Sequence, residues 1–377
     1  MNKIKLIKKI NNDSSTDNDK SSDKKTELWL ADESRNKNAI VPAMDIEDAL
    51  VSSMLPVEEF IATDMPARDM ILFPWLLTGT ITLITAGRGI GKTWLSTAIA
   101  LAVTRQADIG LWHAEKPVKC VYVDAEMSAV QFKNRLDSLV KNLPEEKAPL
   151  YIVSSDFMKW KRLQHPNIFD PEWRDSIMNI VSDTGFGVLF LDNIASLAPG
   201  RNENIKKHWD PMNQWLLELR AKKVAVIMVH HAGKNGKQRG TSAIEDNIDN
   251  AISLTHPSNY TIDQGARFNV EFTKNRDDFG KAGEPFCLHI KKSGDGLIWT
   301  TETPKPELKY FIIALLGLKV PQNEIAKMLR CDESKVMKVM KLAIMKGLLD
   351  KSCDLIGEGI QLFGEFTVEE VLDEFNS

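Results

Sequence analysis

The sequence lacks the marks of a membrane-spanning or disulfide-stabilised protein. No apolar run approaches the ~20 residues that a membrane helix needs, and the first ten residues alternate lysine with isoleucine and leucine, without the apolar core of a secretory signal. The four cysteines are widely spaced and no Cys-x-x-Cys occurs, so neither a zinc site nor a disulfide framework is indicated. We therefore expect a cytoplasmic protein with no membrane contact.

The chain also lacks a strong charge of either sign. Its formal net charge is −4 over 377 residues, so any binding of nucleic acid must use local basic patches. Hydrophobic residues make up 43% of the chain, enough for one large core with small appendages. Residues 11–38 are the exception, because they are mostly Asp, Ser, Lys and Asn. Too few apolar groups are present there to offset the ordering entropy, which predicts a disordered tail over residues 1–40.

A glycine-rich loop between an apolar strand and a helix is the most informative stretch. Residues 81–85 are β-formers, residues 86–93 read Ala-Gly-Arg-Gly-Ile-Gly-Lys-Thr, and apolar residues then recur at helical spacing. This is the phosphate-binding loop pattern, with Ala86 where the first glycine usually stands. Its glycines permit positive φ and let backbone amides approach an anion at a helix N-terminus.

The pattern predicts a site for ATP and Mg²⁺. Lys92 would reach the β- and γ-phosphates, and the Thr93 hydroxyl would bind Mg²⁺. The predicted nucleotide-binding residues are Gly87, Arg88, Gly89, Ile90, Gly91, Lys92, Thr93 and Trp94. An ordinary glycine-rich turn with an exposed lysine is the alternative.

Beyond this loop the chain alternates uniformly apolar runs with helical patterns. Predicted strands at 119–124, 150–153, 187–192 and 224–229 are separated by predicted helices at 128–143, 171–181 and 209–221. Such strands imply an α/β fold, in which a mostly parallel sheet is flanked by helices on both faces. Shorter strands between residues 251 and 300 are expected to extend the sheet antiparallel.

Composition also suggests boundaries. After the tail we expect a helical extension at 41–65, with one amphipathic helix over 45–60, and then a nucleotide-binding domain at 66–303. Pro304-Lys-Pro306 marks a boundary. Three helical patterns follow, near 307–316, 322–329 and 333–345, which suggests a helix-turn-helix module at 304–352 before an acidic tail at 353–377.

Polar residues follow three of the predicted strands, where parallel strands bring ligands to one rim. Asp192 is placed to organise Mg²⁺ together with Thr93, although capping a helix is its alternative role. Glu126 is the candidate to orient or deprotonate the attacking water, with Asp124 as a competitor. His230 could hydrogen-bond the γ-phosphate, or serve only as a structural histidine.

The ordered set of motifs resembles the RepA-like branch of RecA-type ATPases, which are hexameric, replicative-helicase-like proteins of plasmids, phages and mobile elements. The resemblance covers about residues 66–300. It rests on the phosphate loop, Val-Asp-Ala-Glu-Met at 123–127, Leu-Phe-Leu-Asp-Asn at 189–193, and Val-His-His-Ala-Gly-Lys at 229–234 followed by Arg-Gly-Thr-Ser at 239–242. It implies a RecA-like P-loop NTPase fold, ATP hydrolysis with Glu126 as base, and a homo-oligomeric ring with active sites between subunits.

The same resemblance extends to a pair of cations. Thr-Lys-Asn-Arg at 273–276 resembles the Lys-x-Arg finger that ring helicases supply to a neighbouring subunit's ATP. It implies that Lys274 and Arg276 stabilise charge on the transferring phosphoryl group in trans. A charged strand end at the surface is the alternative.

Contact with DNA is expected through two basic loops, at 199–208 and 233–240. In RecA-type rings the corresponding loops line the central hole and hold single-stranded DNA. The residues that would pair with phosphates, without reading sequence, are Arg201, Lys206, Lys207, Lys234, Lys237 and Arg239. Solvated loops are the alternative.

The C-terminal module offers a second basic surface. Residues 322–329 and 334–340 are similar to helix-turn-helix modules, with Arg330 in place of the usual turn glycine. Lys335, Lys338 and Lys341 lie along one helix face and could meet DNA phosphates. A packing or oligomerisation module is the alternative.

Together these features predict a Mg²⁺-dependent ATPase that acts on DNA as a helicase or translocase of a mobile element. One alternative is an ATP-dependent switch that controls a DNA-binding regulator or a loader. Another is a phosphotransferase, for which no acceptor-binding element is evident. Glu126 and the Lys274/Arg276 pair favour turnover, because a pure switch needs neither.

Overall fold

The computed structural model describes residues 45–199, 206–231, 247–277, 280–302, 308–363 and 366–376. The tail predicted at 1–40 lies outside them. The chain divides into two units, Met1–Pro66 and Ala67–Ser377. The first contains α1 (Ile46–Ser53) and α2 (Val57–Ala62). The single helix predicted over 45–60 was wrong, because Met54 and Pro56 take extended backbone and Pro56 starts a new helix.

The second unit is built on a nine-stranded sheet with the order β13-β12-β11-β10-β3-β9-β8-β6-β7 among the described residues. Its strands are β3 (Ile81–Ala86), β6 (Cys120–Asp124), β7 (Leu150–Ser154), β8 (Val188–Asp192), β9 (Ala225–His231), β10 (Asn250–Thr255), β11 (Arg267–Asn275), β12 (Phe286–Ser293) and β13 (Gly296–Glu302). Strands β10, β3, β9, β8, β6 and β7 run parallel to one another. The predicted α/β fold with a mostly parallel sheet is confirmed.

One strand of this sheet differs from the prediction. β10 was expected to be antiparallel, but it lies parallel to β3, and only β11, β12 and β13 pair antiparallel. The strand that leads into the glycine-rich loop is therefore flanked by parallel neighbours on both sides. β9 separates it from β8, which ends at Asp192.

Helices cover both faces of the sheet. They are α3 (Lys92–Arg105), α4 (Ala129–Val140), α5 (Ser155–Trp160), α6 (Pro171–Thr184), α7 (Ile194–Leu197) and α8 (Lys206–Ala221). Successive strand residues face opposite sides, so Tyr122 and Phe190 join the core beneath α3, while Val123 and Leu191 join the core beneath α6 and α8. This double covering explains why the central strands β6, β8 and β9 are apolar over most of their length.

A small second sheet was not predicted from the sequence. Its strands are β1 (Met70–Phe73), β2 (Leu76–Leu77), β4 (Asp108–Ile109) and β5 (Trp112–Ala114), in the order β2-β1-β5-β4. Trp75 and Trp112 are buried where this sheet meets the main core, with ring centroids 5.2 Å apart. Strands of two to four residues are too short to show a periodic pattern.

The C-terminal helices enclose a core of their own. They are α9 (Leu308–Gly317), α10 (Gln322–Met328), α11 (Glu333–Met345), α12 (Glu358–Phe363) and α13 (Val368–Asn376). The first three match the predicted helical patterns. The acidic tail predicted at 353–377 includes the last two, and its Val371 and Phe375 pack into this core. Across the part of the chain that the structure describes, no helix is long and apolar enough to cross a bilayer.

Candidate nucleotide-binding site

The glycine-rich loop joins β3 to α3. Gly89 and Gly91 take positive φ, at 77° and 134°, whereas Gly87 does not. A Cβ atom at Gly91 would lie 2.5 Å from the ring of Phe268, so this position excludes a side chain by sterics as well as by conformation. The loop therefore keeps its backbone open to a ligand at the N-terminus of α3, where amide groups favour an anion.

Lys92 lies inside the loop rather than in solvent. Its Nζ donates hydrogen bonds to the carbonyl oxygens of Ala86, at 3.1 Å, and Gly87, at 2.9 Å. Burial lowers the pKa of Lys92, and the nearby carboxylates of Glu126 and Asp192 oppose that shift. The ammonium group is thus held where the phosphates of a nucleotide would lie.

Asp192 ends β8 in a fully buried position beside the start of α3. Its Oδ2 accepts hydrogen bonds from the Tyr122 hydroxyl at 2.7 Å and Ser96 at 3.4 Å. Within the described residues, Asp192 Oδ1 has no hydrogen-bond partner. Burial raises the pKa of Asp192, while Tyr122 and the nearby Thr93 hydroxyl act against this rise.

These groups fit a hydrated Mg²⁺ ion. Thr93 and Asp192 would supply two oxygen ligands beside the loop, and among the described residues a buried carboxylate oxygen of Asp192 has no hydrogen-bond partner. The described residues contain no cluster of three or more histidine, cysteine or acidic side chains. Two oxygen ligands suffice for Mg²⁺, which usually takes one or two protein ligands and completes its shell with water and substrate phosphates.

Glu126 follows β6 and reaches the same cavity, which measures about 370 Å³. The cavity is lined by Gly89, Gly91, Lys92, Thr93, Trp94, Glu126, Met127, Gln131, Arg135 and His231. Asn193 donates a hydrogen bond to Glu126 Oε2, and its amide nitrogen is 3.3 Å from His231 Nε2. Glu126 is therefore oriented by a residue from the neighbouring strand end and remains partly exposed.

A family model described as an AAA domain matches residues 47–237, just over half of the chain. The chain belongs to the AAA-domain family of P-loop ATPases. The RecA-like fold and the resemblance to the RepA-like branch of this family are confirmed. No curated protein sequence matches the chain.

Two solved structures resemble this AAA-domain ATPase. A KaiC-like protein from Pyrococcus horikoshii is 18% identical, with a TM-score of 0.42, over 61% of this chain and 93% of that chain. The flagellar accessory protein FlaH from Methanocaldococcus jannaschii is 13% identical, with a TM-score of 0.39, over 59% and 89%. Similarity at this level says nothing of what the present ATPase binds.

Asp124, the competing candidate for the base, does not line the cavity. Its side chain is fully buried, and its Oδ1 accepts from the backbone amides of Glu126 at 3.4 Å and Met127 at 3.3 Å. Burial raises the pKa of Asp124 to about 7. In this AAA-domain ATPase, Asp124 thus shapes the turn that presents Glu126.

The histidine at the cavity is His231 and not His230. His230 is buried in the sheet, whereas His231 Nε2 lies 3.7 Å from Glu126 Oε2. Burial lowers the pKa of His231, and the nearby Lys92 adds to this effect. The position at the cavity that was predicted for His230 is taken by His231. Adjacent residues of a strand face opposite sides, so only one of the two histidines can face the cavity.

Two further side chains were missed by sequence reasoning. The guanidinium carbon of Arg135 lies 4.1 Å from the centre of the Trp94 ring, and both residues line the cavity. Burial lowers the pKa of Arg135. Gln131 and Arg135 are four residues apart on α4, and both line the cavity. Residues four apart lie on the same face of a helix, so this spacing was the signal that the sequence offered. Asn193 likewise directly follows Asp192.

Lys274 and Arg276 lie far from this cavity within one chain. Asn275 of β11 pairs with Asn250 of β10, and Asn250 pairs with Thr82 near the start of β3. The phosphate loop begins at the other end of β3, about 16 Å away at ~3.3 Å per residue. Lys274 and Arg276 therefore cannot contact a nucleotide bound to the phosphate loop of their own chain.

The two loops predicted to bind DNA lie mostly outside the described residues. Four of the predicted DNA-binding residues are outside the described residues, namely Arg201, Lys234, Lys237 and Arg239. Lys206 and Lys207 begin α8, but their side chains are not described. The DNA contacts expected there stay a prediction.

Proposed function

We propose that this AAA-domain ATPase hydrolyses Mg·ATP at sites shared between subunits of a ring, and uses the energy to translocate on or unwind DNA of a mobile element. The observation that supports this proposal best is that Lys92 and Glu126 line one cavity with Asp192 buried close by, while Arg276 lies near the opposite end of the parallel strands. A complete site then needs two chains.

The residues at the cavity divide the chemistry among themselves. Loop amides and Lys92 bind and orient the phosphates. Thr93 and Asp192 hold Mg²⁺, which when bound neutralises charge on the phosphate oxygens. Glu126 accepts the proton of the attacking water, and Asn193 keeps its carboxylate in place. His231, within reach of Glu126, is placed to respond when the γ-phosphate leaves.

Trp94 and Arg135 offer a place for the nucleobase. Their flat faces stack against each other at the rim of the cavity. An aromatic ring and a guanidinium both stack well on a planar heterocycle.

Arg276 carries the proposal that the oligomer is a ring. Its side chain is 46% exposed near the start of β3, at the end of the strand opposite the phosphate loop. A contact that joins one end of a chain to the opposite end of the next is heterologous, and such contacts form a ring when the rotation between neighbours closes. In that arrangement Lys274 and Arg276 would contact the γ-phosphate bound by the neighbouring chain.

The proposal of DNA as partner is supported by the C-terminal helices. Lys335, Lys338 and Lys341 are all exposed on α11, while Val336 turns inward to the core. Three lysines on one helix face suit the phosphates of a duplex. The same surface also supports the second candidate function, an ATP-controlled DNA-binding switch or loader.

ATP turnover with and without single-stranded DNA separates the two functions. A motor should be stimulated about tenfold or more, and should separate a forked duplex in the presence of ATP. The Lys92→Ala variant, which lacks the phosphate-binding lysine, serves as the control for contaminating activity. Slow turnover that ignores DNA, with no strand separation, would contradict a motor and favour the switch.

A further inference from the structure

Asp249 is a buried carboxylate with three guanidinium groups around it. It directly precedes β10, and its side chain is 6% exposed. Asp249 Oδ2 lies 2.7 Å from Arg220 and 3.9 Å from Arg68, and Oδ1 lies 3.6 Å from Arg276. The single buried carboxylate of Asp249 therefore faces more positive charge than it can neutralise. The nearby carboxylate of Asp277 pairs with Arg68 at 3.7 Å.

The two oxygens of Asp249 have different tasks. Oδ2 accepts a hydrogen bond from the backbone amide of Ile81 at 2.8 Å and holds Arg220. Arg220 is further committed, because it also donates to the carbonyl oxygens of Gly79 and Asn247. Oδ1 faces Arg276, the cation that remains about half exposed.

Arg276 is tied to Asp249 twice. Besides the ion pair, the backbone amide of Arg276 donates to the carbonyl oxygen of Asp249 at 3.1 Å. At 3.6 Å the ion pair is too long to be a good hydrogen bond. It restrains the direction of the guanidinium, while the Arg276 side chain stays 46% exposed. A restrained arginine loses less entropy when it contacts a phosphate, so it stabilises the transition state more.

We propose that Asp249 is a positioning residue, which aims Arg276 at the nucleotide of the neighbouring subunit. This inference rests on the proposed function, in which Arg276 acts in trans. Asp249 also joins Arg276 to the first residue of the strand that carries the chain's own phosphate loop. Each subunit's finger is thereby anchored to its own nucleotide-binding strand.

The Asp249→Asn variant tests this inference. The amide is isosteric and can still accept from Ile81, but it no longer attracts Arg276. We expect kcat for ATP hydrolysis to fall about tenfold or more while the KM for ATP changes less than about twofold, because the loop is intact. In an Arg276→Ala background the same substitution should have no further effect. Losses that multiply would overturn the inference.

Arg220→Gln is the matched control. It removes the shorter ion pair of Asp249 and leaves Oδ1 facing Arg276, so the melting temperature should fall while kcat stays within about twofold of wild type. An equal loss of kcat in both variants would mean that the cluster acts only through stability, against the proposal. If Asp249→Asn does not fold, Asp249→Glu takes its place, with the same outcomes expected in smaller measure.

Mixed oligomers separate an effect in trans from damage to the chain's own loop. Subunits with Asp249→Asn keep a good loop, and subunits with Lys92→Ala keep a good finger, so random mixing should give about a quarter of wild-type activity, from one interface in four. No recovery would show that Asp249 acts on its own site and would overturn the inference.

The same experiment with Arg276→Ala in place of Asp249→Asn tests the proposed function itself. Failure of both mixtures would reject the shared site and the inference with it. Recovery with Arg276→Ala alone would reject only the role of Asp249.

Discussion

At the scale of single residues, the site depends on side chains that are held from neighbouring strand ends. Glu126 is oriented by a hydrogen bond from Asn193, and its Oε2 lies 3.7 Å from His231 Nε2. Asp192 is fixed by hydroxyl groups from α3 and β6. Such fixed groups leave little reorganisation for the reaction step.

Glu126→Gln should separate binding from turnover. The amide keeps the shape and the contact with Asn193 but cannot accept a proton, so kcat should fall about 10²-fold or more. A fluorescent ATP analogue should bind with unchanged affinity, because Lys92 and the loop are untouched. Thermal unfolding of the glutamine variant, which should match wild type, is the control for a general disturbance. Full activity of the glutamine variant would remove Glu126 as the base.

Asp124 should make the folded protein less stable as pH rises. Because its pKa is raised from 3.8 to about 7 in the folded state, the folded state binds a proton that the unfolded state has lost between these values, so stability falls as pH rises from about 4 to about 7 and then stays constant. Asp124→Asn should therefore gain stability relative to wild type, most of it by pH 8 and up to about 4 kcal/mol. Urea unfolding at pH 5 and pH 8, without Mg²⁺ or nucleotide, measures it. A constant difference between the two proteins would contradict the prediction.

The sequence predicted much of this site, because loop residues and strand-end carboxylates follow one another in a fixed order. It could not decide between His230 and His231, since the choice depends on which of two adjacent residues faces the cavity, and hence on the pleat and twist at the end of β9. The role of Asn193 was hidden for a similar reason. Its partner, Glu126, is distant in sequence and meets it only through the pairing of β6 with β8.

At the scale of elements, the parallel strands were predictable and their antiparallel extension less so. Strands buried on both faces have a strong apolar signature, seen in β6, β8 and β9. The direction of β10 has no such signature in its own residues, which mix apolar and polar side chains. The break between α1 and α2 was readable from Pro56.

Gly91→Ala tests how closely the loop is packed against the sheet. Its added Cβ would clash with Phe268, so nucleotide binding should weaken by at least about tenfold and the melting temperature should fall. Gly89→Ala is the matched control, because it also has positive φ but no atom within 4 Å of the new Cβ. Thermal unfolding and nucleotide titration of both variants give the comparison. Equal effects would mean that backbone conformation alone matters at Gly91.

At the scale of the whole molecule, the chain carries surfaces for two kinds of contact. The nucleotide cavity lies at the C-terminal ends of the parallel strands, and the cluster of arginines lies at their N-terminal ends. The C-terminal helices present exposed lysines around a core of their own. The three predicted helices there were found because helical spacing of apolar residues is a local signal. The packing of Val371 and Phe375 is not local, so it was missed.

Alanine at Lys335, Lys338 and Lys341 together should weaken binding to duplex DNA without regard to sequence. Each lysine that meets a phosphate contributes ~0.9 to the salt dependence, so the slope of log K against log salt should drop by about 2 to 3. ATP turnover without DNA should not change. Alanine at Lys346 and Lys351, which are exposed elsewhere on the same module, is the control. An unaltered slope would favour a packing role for α11.

The separation of Arg276 from its own chain's loop has a consequence for regulation. If ATP hydrolysis needs the phosphate loop of one chain and Arg276 of another, an isolated subunit is close to inactive. The rate of hydrolysis per subunit then rises steeply with protein concentration, as subunits associate. Dilution would then silence the enzyme without any inhibitor, and the abundance of the protein itself would set the threshold at which it starts to consume ATP.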